Sequence, residues 1–153
     1  MNPGNCIQVQ GGFLTQRNLV HDIIRHCIEK IMPFHRTLWI EATLNNLDKT
    51  HGLLGLCMDG EHNEFELEID KNQKVYDLIL TVCHEMAHVK QASRREHVVI
   101  GLKHYWHGQA INTKRHPWEK EAVMMEKPLA HSYIVENTDL YISQVKSNQG
   151  KVL

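Results

Sequence analysis

Apolar residues recur every three to four positions between residues 16 and 32, where Leu19, Ile23, Ile24, Cys27, Ile28 and Ile31 line one face and Pro33 stops the run. That spacing predicts an amphipathic helix. Leu38 to Leu44 reads as a strand, and two more follow, Leu53 to Met58 and Glu64 to Asp70, joined around Asp59-Gly60, a dipeptide that favours a hairpin turn. In the last of these Phe65, Leu67 and Ile69 alternate with Glu64, Glu66, Glu68 and Asp70. A strand with one wet face is expected at a sheet edge.

From Asn72 to Glu96 the period is helical again, with Val75, Ile79, Val82, Met86 and Val89 forming the stripe that faces a sheet. Lys103 to Ile111 reads as a short hairpin turning near Gly108. Pro117 opens a last helix with His116 as its N-cap residue, and Pro128 is expected to break or kink it. Ser143 to Leu153 is polar and is expected to fray. The expected fold is one α+β domain over residues 1–153. Its small, mostly antiparallel sheet is backed by an N-terminal helix, and two later helices cross beneath a cleft.

Composition narrows the class. The chain has 153 residues, 42% of them apolar and 23% charged, with a net charge of −1, which suits one soluble globular domain. No stretch approaches the roughly 18 apolar residues of a membrane span, and the opening Met-Asn-Pro-Gly-Asn lacks the regions of a secretory signal. A cytoplasmic chain without a membrane partner is expected. Four cysteines, more than twenty residues apart and without a Cys-x-x-Cys pair, are expected to stay reduced. Residues 41 to 70 carry eight acids against Lys49, whereas residues 89 to 116 carry Lys90, Arg94, Arg95, Lys103, Lys114 and Arg115 against Glu96 alone. Each run reads first as a solvated face and second as a means of steering a charged partner.

Twelve histidines are many for this length, and imidazole is the commonest metal ligand. Two of them fall in His84-Glu85-Met86-Ala87-His88. Residues four apart on a helix stand one turn above one another, so both rings can face one ion. At about 100° per residue they lie roughly opposite the apolar stripe, which gives the helix a buried side and a cleft side. Glu85 is rotated off the ligand line, where a carboxylate can act as general base without binding the metal. A catalytic zinc takes three protein ligands and keeps a position open, so a third ligand is expected elsewhere.

Downstream stands Pro117-Trp118-Glu119-Lys120-Glu121-Ala122. His84-Glu85-x-x-His88 followed by Glu119-x-x-Ala122 resembles the gluzincin arrangement of zinc metallopeptidases. The joined pattern, with Tyr105-Trp106-x-Gly108 between, is similar to small metallopeptidase-like proteins of bacteriophages over residues 82 to 122. The resemblance implies a zincin-like fold, a Zn2+ cofactor held by His84, His88 and Glu119, and a peptide or protein substrate. Glu119 shares a helix face with Ala122, whose small side chain permits close helix approach, whereas Glu121 is turned about 200° away. Glu119 near the third helical position is also favoured by capping and the helix dipole without any metal. SprT-like zinc peptidases resemble the chain through a His-Gly pair, here His107-Gly108, so Glu121 and His107 stay open as third ligands.

In the implied chemistry Glu85 takes a proton from the attacking water and passes it to the leaving amine. An oxyanion donor would come from Tyr105, His107, His116, His131 or Tyr133, and an extended peptide would add to the edge of Glu64 to Asp70, whose acidic row favours basic or neutral segments. Two other readings stay open: a zinc-stabilised binding or scaffold module without hydrolysis, and a nucleic-acid-associated protease using the basic run. A zinc deaminase is excluded by the missing cysteine ligand pair.

Overall fold

An element that the spacing above does not mark opens the fold. Strand β1 (Cys6–Gly11) turns Ile7 and Val9 toward the core and Gln8 and Gln10 to solvent. The structure, a computed structural model, describes residues 4–34, 37–47, 54–112 and 114–148. Leu53 of the third expected strand and residues 149–153 of the expected frayed tail lie outside them. After β1 the chain turns at Gly11 (φ +83) and Gly12 (φ +58), and a Cβ on Gly11 would run into the Leu44 carbonyl oxygen. Helix α1 (Leu14–Ile31) follows, with Gln16 Oε1 accepting the Phe13 N–H at 2.9 Å, then strand β2 (Trp39–Asn45).

Because α1 carries the chain back along the sheet, β2 pairs with β1 in parallel, Ile7 opposite Ile40. Strand β4 (Glu64–Asp70) pairs in parallel with β2, and β3 (Gly55–Asp59) pairs antiparallel with β4. The order is β1-β2-β4-β3. This sheet is mixed, not mostly antiparallel as expected: the β1–α1–β2 crossover makes the first pair parallel, and β3, set at the edge beyond β4, leaves β2 and β4 as parallel neighbours. The alternation of β4 holds from Glu64 to Ile69 and fails at Asp70, which is buried, and β4 lies inside the sheet with β3 at the edge. Glu64 and Glu66 are exposed because, among the described residues, no helix covers the sheet's outer face, whereas Asp70 is buried and its Oδ1 accepts the Leu47 N–H at 3.2 Å. The β3–β4 connection spans residues 60–63, with His62 and Asn63 at φ 56° and 62°, and is longer than the two-residue turn suggested by Asp59-Gly60.

Helix α2 (Val75–Ser93) lays the expected stripe against the sheet and α1, with Ile79, Val82, Met86 and Val89 wholly buried. Cys27 of α1 and Cys83 of α2 meet there as free thiols, Sγ to Sγ 3.8 Å. A three-stranded antiparallel sheet follows, β5 (His97–Ile100), β6 (Lys103–Trp106) and β7 (Gln109–Ile111), whose last turn is His107-Gly108. Helix α3 (Pro117–Glu136) starts on proline as expected, although His116, in the left-handed region at φ 40°, makes no side-chain cap. Pro128 does not end α3, which continues through it. Residues 143–148 of the expected polar tail belong to helix α4 (Thr138–Asn148), whose Tyr141 and Val145 pack on the core. Among the described residues no helix is long and apolar enough to cross a membrane.

Candidate metal centre

His84 and His88 project from the side of α2 opposite its buried stripe, their rings 5.0 Å apart and edge to face. Helix α3 crosses this side, and Ala122, fully buried, lets the two helices approach closely. The crossing carries Glu119 between the imidazoles. Its Oε2 lies 3.3 Å from His84 Nε2 and its Oε1 2.6 Å from His88 Nε2.

The other ring nitrogens are engaged. His84 Nδ1 lies 2.8 Å from Glu126 Oε2, and His88 Nδ1 lies 2.9 Å from Gln91 Oε1. Gln91 is completely buried, and its Nε2 donates to the Trp118 carbonyl at 2.8 Å, which fixes the amide so that its oxygen faces His88. Both partners can accept, so each Nδ1 is placed to donate, and each ring turns its Nε2 toward the Glu119 carboxylate. Two imidazole nitrogens and a carboxylate converging in this way make a donor set that a metal ion could occupy.

Glu85 completes the group. Its side chain is buried, 5% exposed, and its carboxylate falls with the His84 and His88 nitrogens in a set of atoms within 4.8 Å of one another. Burial lifts its carboxyl to about 7, His88 pulling it down and Glu119 and Glu126 pushing it up. The edge strand makes room for it: a Cβ on Gly55 would stand 2.7 Å from Thr81 Cγ2 and 3.1 Å from Glu85 Cγ. Glu85 therefore sits under β3, at the bottom of a cleft of about 1010 Å³ between β3, α2 and the start of α3.

No protein-family model, curated protein or solved structure matches this chain.

The remaining candidates fall elsewhere. Glu121 Oε1 accepts from Lys90 Nζ at 3.1 Å and Gln91 Nε2 at 3.2 Å, on the side of α3 turned from the histidines. His107, at φ 48° on the β6–β7 turn, gathers with Glu96 and Glu121 and does not line the cleft. Of the expected oxyanion donors, Tyr133 is buried with its hydroxyl donated to Asp22 at 2.8 Å, and His131 is paired with Tyr76 at 2.9 Å. His116 lies edge-on to Trp118, and neither it nor Tyr105 lines the cleft. Lys90, first of the basic run, is held by Glu96 at 2.8 Å and by Glu121.

Three participants were not anticipated. Gln91 and Glu126 orient the histidines, and His97 lines the cleft. His97 lies flat on Trp118, ring centroids 4.0 Å apart, with Nε2 2.9 Å from His104 Nδ1. Burial, then the neighbouring His104 and His88, hold it neutral with a pKa of about 4. The stack joins the small sheet to Trp118 and so steadies the residue next to Glu119. A spacing signal existed for two of the three: Gln91 is three residues after His88 and Glu126 seven after Glu119, each near the helix face of that residue.

Proposed function

We propose that this chain is a zinc-dependent peptidase of the gluzincin kind with a zincin-like fold, in which His84, His88 and Glu119 hold the metal and Glu85 is the general base. The carrying observation is the convergence of two Nε2 atoms on the Glu119 carboxylate, with both Nδ1 atoms already within hydrogen-bond distance of Glu126 and Gln91. The donor set fits zinc. Two donors about 2.0 Å from a tetrahedral ion stand about 3.3 Å apart, the distance of His84 Nε2 from Glu119, and the His88 contact of 2.6 Å must open by about 0.7 Å.

Zinc bound by these residues supplies a Lewis acid for the scissile carbonyl and brings the pKa of a water toward about 7. Glu85, buried beside the ligands, accepts a proton from the attacking water and returns it to the departing amine. Such a base has no role in a purely structural site, which favours hydrolysis over a scaffold. The substrate's main chain is held by adding to the exposed edge of β3, which replaces Glu64–Asp70 as the edge available for an extended peptide.

Protein loaded with zinc is expected to cleave casein or an unstructured peptide, to stop when a chelator strips the ion, and to resume on zinc addition. Zinc bound at unit stoichiometry without any cleavage of either substrate would leave a metal-binding module instead. The orienting carboxylate carries its own expectation: Glu126→Ala weakens zinc binding by about 10–100-fold because His84 loses the partner that fixes its ring. Competition against a chromophoric chelator measures this, and unchanged affinity would remove Glu126 from the site.

A further inference from the structure

The cleft is longer than the metal centre requires. Its floor follows α2 from Asp77 to Ala92, 15 residues farther on and about 22 Å of helix. An extended chain advancing about 3.3 Å per residue spans this with six or seven residues. The histidines stand near the middle, so about three or four residues fit on either side of the bond placed over the metal.

The charge of the lining is one-sided. Among the described residues no lysine or arginine lines the cleft, while Asp77 lies at one end and Asp59, on the β3 wall, at the other. Glu85 and Glu119 belong to the metal centre and Glu126 is bonded to His84, so these two aspartates are the carboxylates it does not use. Neither forms an ion pair or a side-chain hydrogen bond among the described residues; Arg95 acts on Asp59 only from beyond ion-pair distance, opposing the burial that raises its carboxyl.

A second feature continues the pattern beyond the cleft. Asp59 also borders a hollow on the outer face of the sheet, with Trp39, Glu41, Glu64 and Glu66. There Glu41 and Glu66 are register partners on neighbouring strands, a like-charge contact that costs stability. The strands of this face offer no basic side chain to offset it. The negative potential therefore runs from the cleft around the edge of β3 onto the sheet.

We propose that the cleft selects cationic polypeptide segments, with Asp59 and Asp77 recognising lysine or arginine about three or four residues to either side of the scissile bond. This rests on the peptidase reading above. The test uses zinc-loaded Glu85→Gln protein, in which a bound peptide stays intact, and two labelled eight-residue peptides identical except for lysine or glutamate at both outer positions. Exposed ion pairs contribute up to about 1 kcal/mol each, so two attractions in place of two repulsions give the lysine peptide about tenfold tighter binding by fluorescence anisotropy. The preference is expected to shrink as salt is raised and to be lost when Asp59→Asn and Asp77→Asn are combined. Equal binding of the two peptides, binding of neither, or a preference that survives both substitutions would overturn the proposal. Failure of the peptidase reading is distinct from all of these: the zinc-loaded unsubstituted chain would bind the lysine peptide and leave it uncut.

Discussion

Exchange of Glu85 for glutamine is expected to leave the zinc content unchanged and to lower peptide hydrolysis by about 10²–10⁴-fold, the usual contribution of a positioned general base. Glutamine keeps the shape that fits beneath Gly55 and Thr81 but cannot take the proton. Because the Glu85 carboxylate is close enough to both histidines to be mistaken for a ligand, zinc stoichiometry has to be measured beside turnover. Full activity in the variant, or zinc and activity lost together, would remove Glu85 from the role of base.

The metal-free protein gives a second readout. Burial raises the Glu85 carboxyl from 4.5 to about 7, so between those values the folded chain holds a proton that the unfolded chain releases. The Glu85 contribution to stability is then fullest below pH 4.5 and is lost as pH rises toward 7. Denaturant midpoints of chelator-treated protein are expected to show this decline in the unsubstituted chain and not in Glu85→Gln. The proximity of a dication reverses the preference by favouring the charged carboxylate, so added zinc is expected to abolish the difference.

Local periodicity makes the helices that carry the centre legible from the sequence alone. The α2 stripe, Val75 through Val89, is buried as its spacing implies, and His84 and His88 consequently emerge on the other side. The side of α3 that Glu119 shares with Ala122 was likewise readable from spacing, since both face α2. Sheet topology was less accessible, because alternation reports which face of a strand is wet and not which neighbours it has. Glu64 to Ile69 alternates because, among the described residues, no helix covers the outer sheet face, and β4 is nonetheless flanked by β2 and β3. Strand β1 repeats the same alternation in Ile7-Gln8-Val9-Gln10, too briefly to stand out. Gln91 and Glu126 illustrate a different limit. Gln91 lies near the helix face of His88 and Glu126 near that of Glu119, but only the crossing of α2 over α3 brings Glu126 to His84 and the Trp118 carbonyl to the Gln91 amide.

Removal of Glu119, the proposed third ligand, has the other large expected effect. Glu119→Ala leaves two imidazole donors, and zinc affinity is expected to fall by more than the roughly 10–100-fold attributed to an orienting partner, with hydrolysis lost at limiting zinc. Thermal unfolding reads the same event without an activity assay. Zinc at a hundredfold excess over its dissociation constant stabilises the folded chain by about 2.7 kcal/mol, a rise of about 5–11 °C in Tm for a domain of this size, and Glu119→Ala is expected to lose that rise. Glu121→Ala separates ligation from general disturbance of α3. Its carboxylate serves Lys90 and Gln91 and does not contact the histidines, so the zinc-induced rise should survive in that variant even if the baseline Tm drops. A rise retained in Glu119→Ala and lost in Glu121→Ala would move the ligand to Glu121. Such a result would require α3 to rotate about its axis, breaking the Ala122 contact that brings Glu119 between the rings.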